Sequence, residues 1–506
     1  MDTEVIVAGG GPVGLLLACE LRLAGVDVLV LERRREPDLT IKAGSVNAPT
    51  MEAFHRRGLL PALTRAQREN LERMRQFLRQ QPADAPTAVP PRPLGHFAGM
   101  MLSADLLDPD DPEFAGLGPV EAVGLIPQRD IERILAERAA ELGVRLLTGT
   151  EVTGLAADDE GVTVQAGDSS FRAPWLVGCD GGRSAVRKLS GFAFPGTEGE
   201  ITGHQAVVEL SRTDGLRAGW NLTDTGVYVH GPLPGRILTV EFDGPPVDRE
   251  GPVTAEELQG SLRRVSGLPV VVDRVASGTR FTDNARQAST YRLGRVLLAG
   301  DAAHVHAPFG AQGLNLGIGD AMNLGWKLAA VVRDPKAERL LDTYTAERHP
   351  IGARVLDWTR AQVLLMRPEP ASRALRTVVG DLMNTGTGTG YFVRMISGVQ
   401  QRYELPGDHP LVGRSAPDLL LADGSRLADH LHDGRGLLLD LLDDPELRAG
   451  AEGYRERVRT VTLSSAERPG TAALLVRPDG CVAWAADSGA PSADVPLEAA
   501  LATWFG

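Results

Sequence analysis

The strongest constraint on this chain lies at its N-terminus. A short apolar run, residues 4–8, leads directly into Gly9-Gly10-Gly11-Pro12-Val13-Gly14 and then into a helix-like stretch through Leu23. Gly25 stops that stretch, and residues 26–31 read as a second buried strand closed by Glu32. Strand, tight turn, helix and strand make one βαβ unit, which requires a parallel sheet with helices packed on it. The spaced glycines solve three steric problems. Gly9 permits the turn, Gly11 lets a pyrophosphate approach the backbone, and Gly14 lets the helix pack on the strand. The helix opening at Pro12 and Val13 adds free amides and a positive dipole end. Glu32 stands where a carboxylate accepts hydrogen bonds from an adenosine ribose. It would repel a 2′-phosphate, which favours FAD or NAD over NADP at this position. The run Arg33, Arg34 and Arg35 reads either as a phosphate contact or as a solvated surface.

At 506 residues the chain has room for about three domains. Hydrophobic residues at 43% and charged residues at 24% exclude wholesale disorder. With 53 Lys and Arg against 66 Asp and Glu, the net charge of -13 disfavours nucleic acid and acidic lipid as partners. Cys19, Cys179 and Cys481 lie too far apart in sequence for a disulfide framework, a CxxC pair or a thiolate zinc site. His96, His204, His230, His304 and His306 form no HxxxH or HExxH pattern, so no metal is expected. The start lacks a basic leader and no long apolar run follows, an expectation of a cytoplasmic chain without a membrane partner.

Further along, residues 62–75 read as a charged helix, and the proline-rich stretch 81–93 as a loop within an insertion at about 62–125. Residues 130–142 read as a helix capped by Asp130, followed by three short strands. Residues 195–290 look mostly β, with strands near 205–210, 226–230 and 237–242. A strand at 296–299 and a helix at 314–332 return to the first pattern. A long helix at 338–365 is expected to break at Pro350, and the TGTGTG run at 385–390 to be flexible. Beyond about 416, strands and helices alternate in a unit of their own.

Two further segments narrow the reading: LVGCDGGRSAVR at 176–187 and VLLAGDAAHVHAPFGAQGLN at 296–315. Together with the glycine turn they give, in order, the glycine motif, a D-G-x-x-S-x-V-R segment and a G-D segment followed by proline and a glycine-rich loop. In this the chain resembles the class A flavoprotein monooxygenases of the para-hydroxybenzoate hydroxylase family, especially the aromatic-polyketide hydroxylases and rifampicin-type monooxygenases. The resemblance spans about 3–365. Residues 410–506 resemble the thioredoxin-like domain of the polyketide hydroxylases, here without CxxC. The implied fold is α/β: a Rossmann-like FAD-binding domain at 1–190 and 291–400, an interleaved β-rich substrate domain at 191–290, and the C-terminal domain at 410–506.

The resemblance also implies a noncovalent FAD, a transient NADPH or NADH, and O2. It places FAD against Gly9, Gly11, Pro12, Val13, Gly14, Glu32, Arg33, Lys42, Gln128, Asp180, Asp301, Pro308, Gly313, Leu314 and Asn315. Asp301 would bind the ribityl hydroxyls, or else simply cap a helix. The backbone of Gly313, Leu314 and Asn315 would face the flavin N1/C2 edge, where reduced flavin carries negative charge. Asp180, Gly181 and Arg187 would serve FAD and the pyridine nucleotide, or only build a turn. Lys42 stands where many relatives carry arginine, and a lysine lacks the planar fork. It reads equally as a cofactor contact or a solvated residue.

His96, Phe97, Met100, Trp220, Phe281 and Phe309 are expected to form an apolar wall for a polycyclic aromatic substrate, although such residues singly also serve as core. No side-chain acid or base is assigned; the chemistry would be carried on a C4a-hydroperoxyflavin above the loop of Pro308, Phe309 and Gly310. Hydroxylation of a polyketide-type ring is the leading expectation. Baeyer–Villiger insertion, antibiotic inactivation and a redox-silent FAD or ligand-binding protein are the alternatives, and a homodimer is expected as one possible assembly. A halogenase is disfavoured by the lack of a W-x-W pair, and a disulfide reductase by the scattered cysteines.

Overall fold

The computed structural model describes residues 1–38, 40–79, 93–248, 251–468, 470–489 and 495–506. The proline-rich loop expected at 81–93 lies, from 81 to 92, outside the described residues.

A six-stranded sheet carries the three sequence motifs. Its order is Arg292–Leu293, Val296–Leu298, Trp175–Gly178, Val5–Ala8, Val28–Glu32 and Arg145–Thr148. All neighbours run parallel except the first pair. Val7 sits between Val30 and Val177, and Val177 pairs with Leu297. This register brings the carboxyl ends of adjacent strands level. Gly9, Cys179-Asp180, Gly300-Asp301 and Glu32 therefore meet along one edge, where open α/β sheets bind ligands. The inner strands Val5–Ala8, Trp175–Gly178 and Val296–Leu298 are fully buried, as their unbroken apolar runs require, whereas the edge strand Arg145–Thr148 is exposed. Helices Pro12–Leu23 and Gln312–Arg333 cross closely, because a Cβ at Gly325 would lie only 2.5 Å from Glu20 Cβ.

A second, five-stranded sheet is antiparallel, with order Gly219–Leu222, Gly226–His230, Arg236–Glu241, Thr202–Arg212 and Val271–Phe281. Ala206, Tyr228 and Ile237 on one face pack against Leu258, Leu262 and Val265. Those three lie on helix Ala255–Ser266, which the mostly β reading of 195–290 did not single out. Its signals are a Thr254 cap that accepts from the Glu257 amide at 3.2 Å and a stop at Gly267, φ 69°. The opposite face presents Val227, Val229, Leu238 and Val240 to Phe97 and Phe309.

Three local expectations are corrected. The run at 385–390 is not flexible: Thr385 caps helix Gly386–Ser397, its hydroxyl accepting from the Gly388 amide at 3.0 Å. A Cβ at Gly388 would sit 1.9 Å from the Leu382 carbonyl oxygen, so glycine there permits close packing on the preceding helix, Pro370–Met383. Pro350 does not break its helix, which continues over Arg339–Met366. Buried Tyr344, Glu347, Arg348, Ile351 and Leu356 hold both sides of the missing amide in place. Asp130 is not a cap; the helix is Gln128–Glu141, with Pro127 at its N-cap.

The C-terminal unit has strand order Val458–Thr462, Gly436–Asp440, Thr471–Val476 and Val482–Asp487, with the first pair parallel and the others antiparallel, and ends in helix Leu497–Phe505. It docks on the first sheet's helices through buried charge. Arg477 donates to Glu347 at 2.8 and 2.9 Å, Lys327 meets the same carboxylate at 2.9 Å, and Arg477 lies 4.6 Å from the Trp504 ring. Arg57 pairs with Glu20 at 2.6 Å and donates to the carbonyls of Leu431 at 2.9 Å and Pro478 at 2.7 Å. Burial tends to raise the Glu347 carboxyl, but Arg477 and Lys327 outweigh it and hold the group well below the usual range. Glu347→Ala leaves two buried cations facing each other without their shared carboxylate. Its expected cost is about 3–5 kcal/mol in denaturant unfolding, against about 0.5 kcal/mol or less for Arg133→Ala in the exposed Arg133–Glu137 pair.

Candidate cofactor and substrate site

The glycine turn is packed to its limit on one side and open on the other. Gly9 has φ 109°, and a Cβ there would lie 2.3 Å from the Cys179 carbonyl oxygen. A Cβ on Gly14 would lie 2.0 Å from the Gly9 carbonyl oxygen. At Gly11 a Cβ would meet nothing within 4 Å, so this is the open side of the turn. Pro12 occupies the first helical turn, where its missing amide costs nothing. Val13 interlocks the first and third motifs: a Cβ at Gly317 would be 2.5 Å from Val13 Cγ2, and one at Gly300 would be 3.0 Å from it. Glu32 is fixed at its strand end by the amides of Gly10, 2.7 Å, and Arg34, 2.8 Å. The Arg33 side chain is exposed beside it.

Asp180 accepts from the amides of Ala185 at 2.7 Å and Val186 at 3.1 Å through Oδ2, while its buried Oδ1 has no partner. Arg187 turns inward. It donates to the carbonyls of Ala302 and Gly182, each at 2.8 Å, and lies 3.8 Å from the Phe194 ring. It thus ties the second motif to the third through carbonyls rather than through a carboxylate. Asp301 is exposed at the same edge. A Cβ at Gly313 would stand 3.6 Å from Asp301 Oδ1 and 3.3 Å from His306 Nε2, so Asp301 borders the start of helix Gln312–Arg333.

The approach to that helix runs through exposed Pro308, buried Phe309, Gly310 at φ 75° and Ala311 at φ 53°. Gln312, Gly313 and Leu314 are its first three residues, whose amides lack acceptors within the helix. Asn315 has a different task. Its Oδ1 accepts from the Asn47 amide at 2.9 Å and its Nδ2 donates to the Ala311 carbonyl at 2.7 Å, fixing the loop to the segment before helix Ala48–His55.

The side chains of Lys42 and Gln128 both reach Glu132. The Gln128 amide donates to the Ala43 carbonyl at 2.8 Å, and its side chain donates to Glu132 at 2.8 Å. Lys42 Nζ lies 3.1 Å from Asp38 and 3.9 Å from Glu132, with 37% of its side chain exposed. Gln205 of the second sheet donates to the Ile41 carbonyl at 3.0 Å and so joins this loop to the substrate side.

On the substrate side, His96, Trp220, Phe309 and Phe281 follow one another, with centroid spacings of 4.4, 6.3 and 5.9 Å. Phe97 is instead core, packed on Trp358 at 4.4 Å and Phe392 at 4.8 Å. Met100, Trp220 and Phe281 are only half-buried although they point toward other elements, which leaves room at this wall. Gln362, fully buried on helix Arg339–Met366, accepts from the Ala98 amide at 3.1 Å and donates toward the Phe309 carbonyl at 3.5 Å.

Sequence reasoning missed Gln362, Gln205, Asn47 and above all Asp320. Asp320 lies at 0% exposure, accepting from the Gly300 amide at 3.0 Å, His304 Nε2 at 2.7 Å and Arg348 Nε at 2.8 Å. Burial alone would raise its carboxyl, but Arg348 and His304 hold it lowered. A lone acid within the apolar run at 314–332 was the available signal.

The residues present suit FAD: an open glycine turn, a fixed acid at the adjacent strand end, an orphaned carboxylate oxygen at Asp180 and free amides opening a second helix. Residues 2–359 match the FAD binding domain family, and residues 409–506 match the aromatic-ring hydroxylase C-terminal family. The chain is 40% identical over 534 residues to the 12-dehydrotetracycline 5-monooxygenase/anhydrotetracycline 6-monooxygenase of Streptomyces rimosus subsp. rimosus, covering 100% of this chain and 99% of that one. It is 40% identical over 519 residues to a rifampicin monooxygenase of Streptomyces venezuelae, covering 99% and 98%. The solved structure of an anhydrotetracycline hydroxylase from Streptomyces rimosus superposes with a TM-score of 0.84 at 38% identity, covering 100% and 99%. The chain belongs to the FAD-dependent aromatic-ring hydroxylases and is a monooxygenase of that family.

Gly9→Ala is expected to prevent folding or flavin retention outright, because its clash is with backbone. Gly11→Ala has no clash and is expected to keep the circular dichroism and melting profile of the apoprotein. It should still weaken FAD binding by about tenfold, on the order of 1.4 kcal/mol, in a flavin-fluorescence titration.

Proposed function

We propose that the enzyme uses NADH or NADPH and O2 to hydroxylate a polycyclic aromatic substrate of the polyketide type. The observation that carries this reading is the half-buried wall of His96, Trp220, Phe281 and Met100 beside the loop of Pro308, Phe309 and Gly310. A flat ligand buries more area against such a row of rings than a small phenol would. The tetracycline and rifampicin monooxygenase activities for which the relatives are named support the same substrate class.

Bound FAD supplies reduction by the pyridine nucleotide and activation of O2. Gly11 and the Val13 amide would receive its pyrophosphate, Glu32 its adenosine ribose, and Asp301 its ribityl chain. The amides of Gly313 and Leu314 would stabilise negative charge on the ring. Lys42 and Gln128 would contribute further contacts to it, and Arg187 acts by positioning the second motif. The chain's part in the reaction is placement and exclusion of water. His96 is a poor general acid: burial first, then Arg236 and Arg376, pull its imidazole down to about 4, so the ring is neutral near pH 7. Its Nδ1 accepts from the Gly99 amide at 3.2 Å. The C-terminal unit is a thioredoxin-like scaffold without a redox role, since burial pushes the lone Cys481 thiol up.

The test is mass spectrometry of products formed from a panel of aromatic polyketides under labelled dioxygen. One labelled oxygen atom in a hydroxylated product, with NAD(P)H oxidation stimulated by the same compound, is expected. Tight ligand binding with no label incorporated from any panel member would instead identify a redox-silent protein.

A further inference from the structure

One end of the substrate wall carries charge that the fold leaves uncompensated. Four buried arginines of this chain face carboxylates: Arg57 faces Glu20, Arg280 faces Glu257, Arg348 faces Asp320 and Arg477 faces Glu347; buried Arg187 is held instead by two backbone carbonyls. Arg236 and Arg376 have less than either: among the described residues neither has an ion-pair partner and each makes a single side-chain hydrogen bond. Arg236 Nε is buried without an acceptor, and the side chain makes only a 3.5 Å contact with the Gly231 carbonyl. Arg376 donates to the Ala98 carbonyl at 2.6 Å and meets no acid. Burial lowers both guanidinium groups, Arg376 to about 10. A desolvated cation without a counterion is costly, and a protein that retains two of them beside a binding wall has a use for an anion there.

Their placement puts both at that wall. Strand side chains alternate, so Arg236 shares a face with Leu238 and Val240, which pack with Phe97 and Phe309. Arg376 reaches the Ala98 carbonyl, two residues beyond His96. Both guanidinium groups act electrostatically on His96, whose ring begins the aromatic series that ends at Phe281.

We infer that Arg236 and Arg376, at the His96 end of the wall, form an anion-recognising subsite that binds an ionised oxygen substituent, carboxylate or enolate, at one end of a polycyclic aromatic substrate. This rests on the polycyclic reading of the wall and adds orientation to it. An anion anchored at the His96 end fixes which ring lies beside Phe309, and therefore which carbon is presented to the flavin loop. A bidentate guanidinium is suited to a carboxylate or to a pair of enolate oxygens.

The test uses the FAD-loaded enzyme and flavin-fluorescence titration with paired probes: anthracene carboxylate against its methyl ester, and hydroxynaphthoquinone against its methyl ether. The ionised member of at least one pair should bind about tenfold or more tightly than its neutral partner, and the favoured pair names the anion as carboxylate or enolate. Arg236→Gln should remove most of that preference while leaving the neutral probe's Kd and the flavin content unchanged; Arg376→Gln, which also frees the Ala98 carbonyl, should remove most of the preference while leaving the flavin content unchanged. Equal binding of charged and neutral members in both pairs would overturn the inference and leave the polycyclic reading standing. Preference that survives both substitutions would also overturn it, by placing the anion elsewhere. Failure of all four probes to bind, with no labelled product from the polyketide panel, would remove the polycyclic reading and this inference together.

Discussion

The site depends on one fully buried carboxylate, that of Asp320. Asp320 sits on helix Gln312–Arg333, which opens after the loop of Pro308, Phe309 and Gly310, and it receives the Gly300 amide, the His304 imidazole and the Arg348 guanidinium at once. The partners come from two parts of the chain. Gly300 and His304 lie four residues apart in the third segment, and Arg348 lies on the long helix beyond and also donates to the Leu316 carbonyl at 2.8 Å. A charge desolvated to this degree is tolerated only when every partner is in place, so the network admits one relative arrangement of strand end, loop and helix. That arrangement sets where Asp301 and the free amides of Gly313 and Leu314 stand.

The same logic explains why the second and third motifs are far apart in sequence yet act as one edge. Parallel pairing levels the strand ends, but level ends do not by themselves fix the loops beyond them. Arg187 does so by spanning from the second motif to the Ala302 carbonyl, and Val13 does so by filling the space that Gly300 and Gly317 leave open. Glycine at these positions is a packing requirement as much as a conformational one.

The sheet and its motifs were legible because they rest on local rules: apolar runs for buried strands, glycines for close approach, an acid at a strand end. The wall residues were legible as a set but not in their division of labour, since nothing in the sequence separates Phe97, locked between Trp358 and Phe392, from half-buried Trp220. Helix Ala255–Ser266 was missed because it covers a sheet within a segment dominated by strand formers. Pro350 and the glycine–threonine run misled for a related reason. Local propensity disfavours a helix at both, and long-range packing, through Glu347 and Arg348 in one case and against Leu382 in the other, decides the outcome. Asp320 and Gln362 follow the same pattern: a polar residue in an apolar helix signals a partner, but only the fold says which.

Two non-glycine residues near the wall hold left-handed backbone, Ala98 at φ 51° and Ala311 at φ 53°. Such conformations persist only where surrounding bonds over-determine them. The Ala98 amide is held by Gln362 and its carbonyl by Arg376, while the Ala311 carbonyl is held by Asn315. Gln362 also reaches the Phe309 carbonyl, so the turn carrying His96 and the loop leading to the Gly313 amides share one buried amide side chain. A change in either turn is therefore felt by the other. The strain is local, its supports come from helices that bear on both sides of the site, and the consequence is a wall and a loop that must be built to a single mutual spacing.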